Sequence, residues 1–157
     1  MVQVVEQMRI EAPSEQVWAV LADLGGVAEW NPTVDQVAAT SEASSGLGAS
    51  RSCAVAGMGT VEESVVAWDG GREMLYEVKG AAMMRHMRAG FALAPVDDGA
   101  ATLVTMRADF AMRGGPLGAL MAATVGRRKL RGTMRRVLVG LREHVERVPA
   151  SERPARP

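Results

Sequence analysis

The chain has 157 residues, 48% of them hydrophobic and 23% charged, and its 18 basic and 18 acidic side chains cancel. That is one domain's length with enough apolar material for a core, which excludes intrinsic disorder and any global attraction to nucleic acid or anionic membrane. A single cysteine, Cys53, excludes an internal disulfide and a thiolate metal site.

The first residues lack the basic start and apolar stretch of a signal peptide. No run approaches the ~20 apolar residues of a membrane span. A cytoplasmic protein without integral membrane contact is expected. Aromatic residues make up only 4% of the chain, against eleven methionines, so soft and adaptable side chains fill much of the interior. The neutral total conceals an asymmetry. Residues 1–115 carry 8 basic and 15 acidic side chains, whereas residues 116–157 carry 10 and 3.

In chain order, Val2 to Ile10 alternates as a strand until Ala12-Pro13-Ser14 breaks it. Pro13 and Ser14 are helix-start residues, with Ser14 the expected cap. Val17, Trp18, Leu21 and Leu24 recur at helical spacing, predicting a short helix over 14–23. A second helical turn follows at 27–30 and stops at Asn31-Pro32. Strands are predicted at 35–42, 50–56, 60–68, 73–79, 84–94 and 101–112. Turns rich in Gly, Ser and Asp separate them, such as Gly57-Met58-Gly59 and Asp69-Gly70-Gly71. Such spacing means an antiparallel meander whose apolar face must be covered. The cover is a C-terminal helix after Gly114-Gly115-Pro116. In it Leu117, Leu120, Met121, Val125, Leu130, Met134, Val137, Leu138, Leu141 and Val145 keep 3/4 spacing, with a kink allowed near Gly126. Residues 1–148 form one domain, and 149–157 read as a disordered tail.

Several stretches resemble one family. Ile10-Glu11-Ala12-Pro13-Ser14-Glu15-Gln16-Val17-Trp18, with Leu21, Asp23, Trp30 and Pro32, is similar to the opening of the polyketide cyclase/dehydrase and lipid-transport branch of the START-like (SRPBCC) superfamily. Glu62-Glu63-Ser64-Val65, then Asp69, Arg72 and Tyr76, resembles its middle hairpin. Gly114-Gly115-Pro116-Leu117-Gly118 and Leu141-Arg142-Glu143-His144-Val145-Glu146 resemble its ending. The resemblance implies an α+β helix-grip fold. In it a curved seven-stranded antiparallel sheet wraps a long C-terminal helix, two short helices follow strand 1, and an apolar cavity lies between sheet and helix.

Alternation selects the inward faces. On the last strand these are Val104, Met106, Ala108, Phe110 and Met112. On the one before they are Met87, Ala89, Phe91 and Leu93, and on the next Met74, Tyr76 and Val78. Val61, Val65 and Ala67 carry Glu63 inward with them. The expected ligand-binding residues are Val61, Glu63, Val65, Met74, Tyr76, Met87, Phe91, Met106 and Phe110 of the strands, Met134 and Leu138 of the helix, and Trp30, which is either a lid over the pocket mouth or a packing aromatic; the resemblance likewise implies lining positions for Glu63 and Tyr76. An inward carboxylate is costly unless it is paired or protonated. The plainer reading of Glu63 is a strand-end group that reaches water or pairs with an arginine. The sharper one is a polar anchor or general acid/base. Tyr76 is either a core aromatic or a donor to a ligand carbonyl.

His86 and His144 form no triad or metal site with Cys53, and no cofactor is expected. Arg127, Arg128, Lys129 and Arg131, with Arg135 and Arg136, make a basic helix face. It is either solvated or a dock for an anionic partner at Arg127, Arg128 and Arg131. Nucleic acid is not expected, since no aromatics interleave with these cations. Three functions follow: binding or transport of a small hydrophobic ligand (lipid, polyketide or aromatic compound); a polyketide aromatase/cyclase or dehydratase using Glu63 and Tyr76; and a partner-binding accessory protein using the basic helix. A monomer or a homodimer is compatible with each.

Overall fold

The computed structural model describes residues 1–147, so the tail expected at 149–157 lies outside the described residues. The strands are β1 (Val2–Ile10), β2 (Val34–Ala39), β3 (Ser50–Val55), β4 (Gly59–Asp69), β5 (Glu73–Lys79), β6 (Met84–Val96) and β7 (Ala101–Met112). They form one antiparallel sheet in the order β1-β7-β6-β5-β4-β3-β2. The first strand therefore pairs with the last, and the rest is a meander. Two short helices, α1 (Ser14–Ala22) and α2 (Val27–Trp30), carry the chain from the β1 edge to the β2 edge. The arrangement is the START-like helix-grip fold, closed by 33 helical residues at the C-terminus.

Strand alternation survives almost throughout because one face of every strand must be dry. Val104, Met106, Ala108 and Phe110 are buried, as are Met87, Ala89, Phe91 and Leu93. β4 departs from it. A register shift lies between Val65 and Ala67, so a bulge at Val66 breaks the phase. Val66 and Ala67 both face solvent, while Trp68 turns back and stacks edge-on against Trp18 with ring centroids 5.0 Å apart. β2 is also shorter than expected and ends at Ala39. Ser14 is the first helical residue and not the cap; its hydroxyl meets that of Thr102 at 3.1 Å.

The C-terminal helix is α3 (Gly115–Met121), a π turn (Ala122–Gly126) and α4 (Arg127–Arg147). α4 buries Met134, Val137, Leu138, Leu141 and Val145 against the sheet. Gly140 lets it approach the α2–β2 corner, since a Cβ there would stand 2.3 Å from the Trp30 carbonyl oxygen. Glu6, an inward residue of β1, binds α4 through Arg131 at 3.0 Å and Arg135 at 3.3 Å. Arg131, read as either solvated or a dock for an anionic partner, is paired with Glu6 while its side chain stays 46% exposed. The single apolar face expected along the whole helix is corrected too: Leu117, Leu120, Met121 and Val125 are exposed.

Candidate functional site

A hollow of about 70 Å³ lies between the middle of the sheet and α4. β4, β5, β6 and β7 form its floor through Val61, Tyr76, Val78, Met87, Ala89, Phe91, Met106 and Ala108. Leu130, Thr133, Met134 and Val137 of α4 roof it, and Trp30, Asn31, Thr33 and Val34 close one side. Asn31, Met58, Leu130 and Thr133 line it while only half-buried, which puts the opening between the β3–β4 turn and the start of α4.

Eight of the expected ligand-binding residues meet here: Trp30, Val61, Glu63, Tyr76, Met87, Phe91, Met106 and Met134. Met74, Phe110 and Leu138 are buried in the same core but do not line the hollow. Val65 is drawn elsewhere, into a small cluster with Leu24, Ala49 and Trp68. The β4 bulge directly after it explains the departure, because the twist there turns the strand end away from the helix.

The free volume is far below the ~300–1,000 Å³ of drug-sized ligand sites. It is also less than the ~150 Å³ that holds a benzene ring. Four of the lining residues are methionines, however: Met58, Met87, Met106 and Met134. Their unbranched side chains change rotamer at little cost, so this wall yields where a leucine or valine wall would not.

One corner of the hollow is polar. Arg51 of β3 lies directly across from Glu63 in the β3–β4 ladder. Its Nε donates to Glu63 Oε1 at 2.9 Å, and its Nη1 donates to the Leu24 carbonyl at 2.9 Å. The side chains are only 9% and 12% exposed. The Cys53 thiol donates to the same Oε1 at 3.3 Å. Both contacts fall on one oxygen, which leaves Oε2 without a hydrogen bond among the described residues. The guanidinium also stands 5.9 Å from the centroid of the Tyr76 ring, within cation–π range. Trp30, edge-on to Phe91 at 6.3 Å, brings a buried indole N–H with no partner among the described residues.

These surroundings fix the protonation states. Burial pulls the Arg51 guanidinium down, but the Glu63 charge, the nearby Tyr76 and Cys53 and the hydrogen bond to Glu63 together more than offset it, so the group stays cationic. Burial, and then Glu63, push the Cys53 thiol up to about 12. Tyr76 moves the same way for the same two reasons and stays a neutral donor. Cys53 is thus a small buried hydrophobe and not a nucleophile. His86 and His144 lie outside this cluster, and no group of three His, Cys, Asp or Glu residues able to hold a metal occurs among the described residues.

Arg51 is the residue that sequence reasoning missed, and the signal was present. Counting equally back and forward from Gly57 sets position 51 opposite position 63.

The sequence matches the family described as polyketide cyclase/dehydrase and lipid transport over residues 1–146. The chain belongs to this family. No curated protein matches it in sequence. Among solved structures, a START superfamily protein from Mycobacterium smegmatis is 14% identical, with 94% of this chain and 99% of that one covered and a TM-score of 0.76. The ZhuI aromatase/cyclase from Streptomyces sp. R1128 is 24% identical over 98% and 99% of the two chains, with a TM-score of 0.71. The di-domain aromatase/cyclase BexL, of the BE-7585A biosynthetic pathway, is 15% identical and has a TM-score of 0.76; the likeness takes in 93% of this chain but 47% of that one. At these identities the likeness is one of fold.

Proposed function

We propose that this member of the family binds a small hydrophobic molecule in the hollow, with one oxygen-bearing end held at the Arg51–Glu63–Tyr76 corner. The observation that carries the proposal is the contrast inside the wall: one charge-compensated polar corner in a methionine-rich apolar surface. Apolar burial at ~25 cal/mol per Å² would supply the affinity. The Tyr76 hydroxyl would donate to a ligand carbonyl, and Glu63 Oε2 would accept from a ligand hydroxyl. Binding requires Met106 and Met134 to swing aside, so a ligand enlarges the site that receives it.

The test is a titration with 2-naphthol, a flavonoid and decanoic acid, read by tryptophan fluorescence and by melting temperature. Saturable quenching is expected, with Trp30→Phe removing most of the signal because Trp18 and Trp68 pack together elsewhere. Tyr76→Phe should weaken the oxygen-bearing aromatic ligands about tenfold while the fold persists. The absence of any melting shift or quench across the panel would overturn the reading.

A second reading, an aromatase/cyclase or dehydratase, is favoured by one feature, an Oε2 without a hydrogen bond among the described residues on a carboxylate that lines the hollow. There the carboxylate would relay a proton while Tyr76 steadies an enolate. Cyclisation of a linear poly-β-ketone analogue by wild type and by Glu63→Gln decides it. Equal rates would remove Glu63 as the base.

A further inference from the structure

The start of the C-terminal helix turns its apolar residues away from the protein. Leu117, Leu120, Met121 and Val125 are 69%, 60%, 42% and 47% exposed. They are the densest run of exposed large hydrophobic side chains among the described residues. The π turn at Ala122–Gly126 is the cause. An extra residue in one turn rotates everything before it by about 100° relative to α4. The faces of α3 that reach β7 are then the small ones, Gly118 and Ala122, both buried. Gly118 is packed so closely that a Cβ would fall 2.2 Å from the Arg113 carbonyl oxygen. The Thr124 hydroxyl donates back to the Leu120 carbonyl at 2.8 Å and helps to hold the widened turn.

Cations surround this stripe. Between Asp109 and Glu143 the chain carries eight basic residues and no acidic one. Arg131 and Arg135 are taken by Glu6, whereas Arg113, Arg127, Arg128 and Lys129 have no ion-pair partner among the described residues. Arg113 and Arg127 line the same surface recess as Ala119 and Ala122 of the helix. The Arg113 N–H donates to the Met83 carbonyl at 3.0 Å, which brings Met83, itself 61% exposed, to the same end of the molecule.

We propose that this end, the stripe Leu117–Leu120–Met121–Val125 with its flanking Arg113, Arg127, Arg128 and Lys129, docks on the surface of an anionic lipid bilayer. Exposed aliphatic residues on one helix face beside unpaired cations are what an interfacial helix requires. The stripe lies on a convex helix and has no aromatic anchor, which suits a fluid headgroup layer better than a shaped protein partner. The acidic balance of residues 1–115 would be repelled by the same surface and would orient the molecule with α3 downward. Leu130, which lines the hollow, follows Arg127 by less than one helical turn, so docking would set the opening beside the bilayer. Docking does not depend on the ligand reading, since it uses none of the residues at the polar corner.

Co-sedimentation with vesicles of equal parts phosphatidylglycerol and phosphatidylcholine, against phosphatidylcholine alone, tests the proposal on the full chain. Partition onto the anionic vesicles should be about tenfold or more the stronger and should fall at high salt. Arg127→Glu with Arg128→Glu should reduce it at least about tenfold, and so should Leu117→Gln with Leu120→Gln. All four positions are exposed, so unchanged melting temperatures would confirm intact folds. Absence of partition, equal partition onto both vesicle types, or partition untouched by either pair of substitutions would overturn the proposal. A concentration-dependent dimer abolished by Leu117→Gln with Leu120→Gln would overturn it too, because the occupant would then be a second copy of the chain.

Discussion

Two carboxylates, Glu6 and Glu63, occupy inward positions on the same sheet and are almost equally shielded, with side chains 15% and 12% exposed. What separates them is where the cation stands. Glu6 is met by Arg131 and Arg135, helix residues whose side chains remain 46% and 64% exposed. Glu63 is met by Arg51, a strand residue at 9%. In the first pair water still solvates the positive partner, and the contact works as a clasp between β1 and α4. In the second both charges have left water, and each depends on the other. A carboxylate's own burial therefore does not announce its role; its partner's burial does.

The largest expected effect breaks the second pair. Arg51→Met should destabilise the protein by about 3–5 kcal/mol, since it strands a buried carboxylate. The urea midpoint reads this directly. Adding Glu63→Leu to Arg51→Met should restore most of the loss, because an apolar pair of similar volume removes both desolvation costs. A loss below about 1 kcal/mol in the single variant would show that Glu63 reaches water, and the contrast with Glu6 would collapse.

The contrast was only half legible in the sequence. Alternation carried Glu63 inward, and the glycine turns set the strand order so well that β5 and β7 fall where expected. Arg51 stayed hidden because arginine is an outward residue by default, and the short β3 has little polarity contrast between its faces. Only the hairpin register exposes it. Two further departures share a cause, in that a local insertion changed the phase. The extra residue in β4 turned Ala67 to water. The π turn rotated Leu117 and Leu120 outward, and the apolar spacing carries its mark as a single five-residue step from Val125 to Leu130. Spacing reports which residues share a face, and one step of five among steps of three and four is a weak sign of a turn that holds one residue too many.

A smaller effect belongs to alkaline solution and to the Glu63 end alone. The Cys53 thiol is raised from 9.0 to about 12 in the folded protein. Below pH 9 it is neutral in both the folded and the unfolded chain, and its contribution is fully present. Between pH 9 and about 12 the unfolded chain ionises while the folded one does not, so stability declines as pH rises, by roughly 1 kcal/mol at pH 10. Cys53→Ala should flatten that part of the pH profile. A thiol reagent at pH 8 should leave the folded wild type unlabelled until denaturant is added.

The smallest effect should come from the clasp. Glu6→Gln removes one charge facing two half-solvated arginines, and pairs of this kind contribute about 0.2–1 kcal/mol. Each arginine keeps its water when the carboxylate goes, so no buried charge is left alone. The loss should also shrink with salt, vanishing near molar ionic strength where the screening length is about 3 Å. The cost of Arg51→Met should persist in the same salt, because ions do not enter the Glu63 corner. Parallel melts of Glu6→Gln and Arg51→Met across a salt series therefore separate the two carboxylates without any ligand. If both losses screened alike, Arg51 would have to be solvated as Arg131 is, and the polar corner of the hollow would be open to water rather than held ready for a ligand.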